Sequence, residues 1–136
     1  MNKEEIKKEI DKLRKRVDYV VGDWVETCSL LPGIVQNIVI RYDEKNDYIE
    51  EYVEVFYPHM AFDAKYDGKY NGGSLCSVEH CGVHKISSQY ASMLMALGHD
   101  RLSKLWDKAT EAWNSDSQKS WETFVIEEYE RVFKQQ

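Results

Sequence analysis

The sequence predicts an α+β chain: one N-terminal helix, a small antiparallel β-barrel-like region, and two or three C-terminal helices. Three observations carry this. Residues 3 to 17, "KEEIKKEIDKLRKRV", repeat apolar side chains at helical spacing, whereas residues 48 to 57, "YIEEYVEVFY", alternate with period two. After Ile86 the spacing turns helical and stays so. A run of strands followed by a run of helices is an α+β order. The segments divide as 1–18 (helix), 20–86 (barrel-like region) and 87–136 (helical region), and 136 residues fit a single domain with one core.

In the first segment Ile6, Ile10, Leu13 and Val17 form a narrow stripe, and every position between them is charged. So thin a stripe needs a partner, either the body of its own domain or the same helix of a second chain in a homodimer. From Val20 the period changes. "VVGDWVETCSLLPGIVQNIVIRY" reads as two strands joined at "LLPG", with Ile34, Ile38, Ile40 and Tyr42 on one face and Gln36 interrupting them. "DEKND", residues 43 to 47, is a polar turn. In the strand that follows, Ile49, Val53, Val55 and Tyr57 face one way together with Glu51. Residues 58–74, "PHMAFDAKYDGKYNGGS", carry Pro58, Gly68, Gly72 and Gly73 and show no period. "LCSVEHCGVHKI" then reads as a further strand pair or a bulged strand, irregular at Gly82.

In the helical region Ser87 or Ser88 caps a helix bearing Tyr90, Met93, Leu94 and Leu97, which Gly98 ends. Asp100 caps the next, with Leu102, Leu105, Trp106, Ala109 and Trp113 at helical spacing. Asp116 or Ser117 starts a last helix carrying Trp121, Phe124, Val125, Tyr129, Val132 and Phe133. Trp106, Trp113, Trp121 and Phe133 are expected to lie against the barrel as core rather than as a recognition face, because they recur at helical spacing.

Composition narrows the function. Apolar residues make up 43% and charged residues 31% of the chain, a globular balance, and the net charge is -6. Phosphate backbones are bound by clustered Lys and Arg, so an acidic chain argues against nucleic acid and for a protein partner. No window approaches the roughly 20 apolar residues of a membrane span, and "MNKEEIKKEI" has no apolar stretch for a secretory signal. A cytoplasmic location is expected, with the three cysteines as reduced thiols.

Two places draw attention as sites. "CSVEHCGVH" gathers Cys76, His80, Cys81 and His84 within nine positions. A structural zinc site wants four such ligands converging tetrahedrally, usually as two close pairs. On a strand Cys76, His80 and His84 share a face and Cys81 takes the other, so no metal and no cofactor is expected. A small metal-dependent or thiol enzyme centred on these four residues stands as the alternative, although no cation or helix N-terminus is evident to lower a thiol pKa. The second place is the 58–74 tract. His59, Phe62, Tyr66 and Tyr70 stand among alternating Asp and Lys, the composition of a recognition loop; as buried rings they would instead plug the end of the barrel.

Residues 21 to 38, "VGDWVETCSLLPGIVQNI", resemble the opening of KOW-type and other SH3-like small barrels on Gly22-Asp23, Val25, Gly33, Val35 and Ile38. The resemblance implies a five-stranded SH3-like barrel ending near "CGVHKI", with 58–74 as its long loop. Such barrels mostly bind proteins or RNA and rarely catalyse. The expected function is therefore a non-enzymatic module that binds another macromolecule, a protein, through the aromatic loop. A barrel binding a small ligand between loop and helices is a further alternative.

Overall fold

The computed structural model describes residues 1–58 and 74–134. Its elements run α1 (Lys3–Arg16), β1 (Trp24–Glu26), β2 (Gly33–Asp43), β3 (Tyr48–Tyr57), β4 (Ser74–Val78), a 3₁₀ turn (His80–Gly82), β5 (His84–Lys85), α2 (Ser88–Asn114) and α3 (Trp121–Phe133). The α+β class holds. Two compact units divide the chain, Met1–Ile86 and Ser87–Gln136.

The first unit is α1 and a five-stranded antiparallel sheet in the order β4-β3-β2-β1-β5. The sheet is open. Among the described residues β4 and β5 are its two edges and do not pair with each other, so the closed barrel expected from sequence is not what forms. The physical reason lies in strand length: β5 spans two residues and β1 three, too little backbone to carry a ladder around to β4.

Helix α1 starts where Asn2 accepts a hydrogen bond from the Glu5 N–H at 2.9 Å, an N-cap that satisfies one free donor of the first turn. Glu4 and Glu5 sit in the first turn and Arg14, Lys15 and Arg16 in the last, each sign placed to oppose the helix dipole. Its apolar stripe turns onto its own sheet, against β2 and β3, and Val17 and Ile38 flank the core. The Met1 amine donates to both Asp47 carboxylate oxygens, at 2.8 and 3.0 Å, in the turn between β2 and β3. Tyr42 also donates its hydroxyl to Asp47.

The core of the unit is Tyr19, Val25, Val35, Val53, Val55, Tyr57 and Val83. Val53, Val55 and Tyr57 share the inward face of β3, as their alternation requires. The β2 side departs from expectation. Its register against β3 shifts between Val35 and Asn37, leaving Gln36 unpaired in a bulge. Val35, not Ile34, is therefore the buried residue, opposite Val55, while Ile38 takes the inward face two pairs later, opposite Val53. Ile34 instead pairs with Trp24 and Phe56. The expected common face for Ile34, Ile38, Ile40 and Tyr42 breaks because an extra residue changes parity between them.

The second unit is a helical hairpin. Ser87 caps α2 by accepting from the Tyr90 N–H at 3.0 Å, and the helix bends at Gly98, which holds φ 80 and ψ 163. Helical geometry breaks there, so the two helices read from sequence meet at Gly98, where the first was expected to end. Ser120, not Asp116 or Ser117, caps α3, accepting from the Thr123 N–H at 3.2 Å. The intervening turn folds back: Asp116 takes φ 69, the Ser117 N–H bonds to Ala112, and the Trp113 indole donates to the Lys119 carbonyl at 2.6 Å.

Leu102, Leu105, Ala109 and Val125 are buried in this unit. Of the four rings expected in the core, Trp106 is 43% exposed and Phe133 41%, whereas Trp113 and Trp121 are half-buried. Trp106 instead packs edge-on against Trp113 and Trp121, with centroids 5.4 and 5.0 Å apart, along one flank of the hairpin. Among the described residues no helix is long and apolar enough to cross a membrane.

Candidate functional site

The tract singled out by sequence is strung between β3 and β4, and both of its stems are fixed. Tyr57 pairs with Ser74 as the last rung of that ladder. The Tyr57 hydroxyl is 2.5 Å from Thr27 Oγ1, which ties the rung to the connection between β1 and β2. That connection is itself held: Thr27 Oγ1 accepts from the Ser29 N–H at 3.2 Å, and Leu31 and Pro32 are buried. Burial pushes the Tyr57 phenol above its ordinary range, and the Thr27 bond offsets part of this. The ring is thus a neutral, anchored side chain.

Gly33 completes this end of the sheet. A Cβ there would stand 2.2 Å from Val55 Cγ1 and 3.1 Å from two Tyr57 ring atoms, so only glycine lets β2 pass this close to β3. Cys28 is exposed and Cys76 half-buried nearby. His59, Phe62, Tyr66 and Tyr70 lie outside the described residues. What the structure supplies is their platform: two strand ends and one loop, mutually bonded.

The cysteine and histidine motif is spread out. Cys76 lies on β4 opposite Val55 and flanks the core. The strand stops at Val78, and the chain turns tightly, the Gly82 N–H bonding to the Glu79 carbonyl and the Val83 N–H to that of His80. Strand parity therefore does not govern His80, Cys81 and His84 as expected. His80 is buried, whereas Cys81 and His84 are exposed. Among the described residues no group of three or more His, Cys, Asp or Glu is arranged to hold a metal ion. The Cys81 thiol donates to the Glu79 carboxylate at 3.8 Å.

His80 has a different role, which sequence reasoning missed. Its Nδ1 stands 3.0 Å from Glu51 Oε2, and its carbonyl accepts from the Tyr19 hydroxyl at 3.2 Å. Glu51 is the one carboxylate on the inward face of β3, and a buried imidazole is what meets it. The signal was present as the polar break in an apolar row, but its partner is 29 residues away along the chain.

Burial, reinforced by the neighbouring Asp18 charge, pushes the Tyr19 phenol up to about 12. Since the folded value lies above the ordinary 10.0, the folded chain keeps this proton where the unfolded chain has lost it. The contribution to stability is complete below pH 10.0 and is lost as pH rises toward 12. Tyr19→Phe has no such proton. The variant is expected to be less stable at neutral pH, for want of the bond to His80, yet to show a shallower fall in denaturation midpoint over that alkaline window. An unchanged slope would overturn the assignment.

Comparison with protein-family models, curated proteins and solved structures finds no match to this chain.

Proposed function

We propose that the sheet unit is a protein-binding module of the SH3-like kind and that the 58–74 tract carries its contact surface. The observation behind this reading is the double anchoring of the tract, at the Tyr57 and Ser74 rung and through the Thr27 to Tyr57 bond. A loop held at both stems by a rigid scaffold is the common arrangement for recognition, because the scaffold has already met part of the ordering cost. The tract contributes Phe62, Tyr66 and Tyr70, large rings of low side-chain entropy, with His59 at its start. The resemblance of residues 21–38 to SH3-like small barrels also supports the module reading. Fold likeness alone does not assign a partner.

Replacing Phe62, Tyr66 and Tyr70 together with Ser tests the reading. Affinity capture from the native host, quantified by mass spectrometry, is expected to lose the proteins retained by the unaltered chain, while the melting temperature stays within a few degrees. Unfolding of the triple variant would make the rings core. A folded variant that still binds would move the site elsewhere, first to the α1 stripe of Ile6, Ile10, Leu13 and Val17.

A further inference from the structure

The helical unit carries a feature that the protein-binding reading does not use. Arg101, Lys104, Leu105 and Lys108 recur along one face of α2, and with Glu128 and Arg131 of α3 they line a cleft of about 230 Å³. Four cations face one carboxylate there, in a chain whose net charge is -6. The carboxylate is already engaged. Glu128 accepts from Arg131 through both of its oxygens, a forked contact that fixes the guanidinium at the cleft wall. Arg101 lies over the Phe133 ring, 5.9 Å from its centroid. Among the described residues no carboxylate comes within ion-pair distance of Arg101, Lys104 or Lys108.

We propose that this cleft is a binding site for clustered phosphate groups, with Lys104 and Lys108 as its principal ligands and Arg101 and Arg131 as its flanks. Guanidinium forks and lysine ammonium groups are the side chains that meet phosphate oxygens best. Several unneutralised cations around one cavity call for a multivalent anion rather than a single carboxylate. The volume sets the size. It falls below the roughly 300–1,000 Å³ of sites that enclose whole small molecules, so the cleft takes the phosphate end of its ligand and leaves the rest outside. A free polyphosphate, the phosphate tail of a nucleotide and a phosphorylated lipid headgroup share this chemistry.

Calorimetric titration of the full chain with inorganic tripolyphosphate at low ionic strength tests the site. One saturable site per chain is expected. The double variant Lys104→Ala, Lys108→Ala should bind at least about tenfold more weakly, and the charge-matched control Lys7→Ala, Lys12→Ala on α1 should stay within about twofold of the unaltered chain. Both pairs sit on exposed helix positions where alanine favours the helix, so each variant folds. Absence of binding by the unaltered chain, or equal loss in both variants, overturns the proposal. Phosphatidylcholine vesicles with and without a phosphoinositide separate the sources. Sedimentation that depends on the phosphoinositide and on Lys104 and Lys108 assigns a lipid headgroup, and its absence beside tripolyphosphate binding assigns a soluble phosphate. An oligoribonucleotide that binds more tightly than tripolyphosphate, and equally well to the double variant, overturns the pocket.

Discussion

Leu102→Ala is expected to lower the unfolding free energy by about 2–5 kcal/mol, among the largest effects available to a single substitution in this chain. Leu102 is fully buried, in the seam where Leu105, Ala109 and Val125 are also buried. Removing its isobutyl group forfeits the transfer free energy of the lost carbons and leaves a cavity that the two helices close only in part. Denaturant titration measures the change. Two companions sharpen it. Leu102→Met keeps the volume and should cost less than about 1.5 kcal/mol. Trp106→Ala removes a larger ring, but that ring is 43% exposed, and its edge-on pairs contribute about 0.5–1.5 kcal/mol each beyond the area they bury. If Trp106→Ala proves the more damaging of the two, the tryptophan flank and not the leucine seam holds the hairpin together.

Gly33→Ala is the second large effect, and it comes from adding one carbon. The new methyl would lie 2.2 Å from Val55 Cγ1, and Val55 is fully buried with no long flexible stem to bend aside. Strands β2 and β3 must separate locally, an overpacking cost of about 1–3 kcal/mol. Because two Tyr57 ring atoms are also within 3.1 Å of the new carbon, the Thr27 to Tyr57 bond is disturbed at the same time. Gly82→Ala is the control: nothing lies within 4 Å of its added carbon, and a change within about 0.5 kcal/mol of zero is expected. A neutral Gly33→Ala would mean that the platform beneath the 58–74 tract is softer than its contacts imply.

Local patterns in this sequence were legible where one period ran without interruption. The stripe of α1 faces its sheet, and the inward row of β3, Glu51 included, stands as its alternation predicts. Legibility failed where a single residue changed the local rule. The bulge at Gln36 moved Val35 inward and Ile34 away from it; Gln36 interrupting the apolar row was the mark of that slip, but aliphatic residues on both faces left the phase before it open. The motif at 76 to 84 was read as extended chain, and its central residues adopt a 3₁₀ turn. Trp106 and Phe133 were misplaced because helical spacing reports a shared face, whereas burial depends on what the neighbouring helix covers. The basic cleft was hidden for a related reason. Arg101, Lys104 and Lys108 look like ordinary solvated charges until α3 brings Arg131 beside them.

The bulge in β2 also bears on which length changes this strand tolerates. Gln36 acts as a frame shift in side-chain phase: odd positions point inward before it and even positions after it. Deleting a residue from a regular strand usually inverts every side chain beyond the cut. Here deletion of Gln36 leaves Val35 and Ile38 inward and removes only the slack between their pairs, whereas deletion of any residue from Val39 onward turns part of the α1-facing surface outward. The bulge, at Gln36 or its neighbour Asn37, is therefore where β2 can lose a residue without losing its inside.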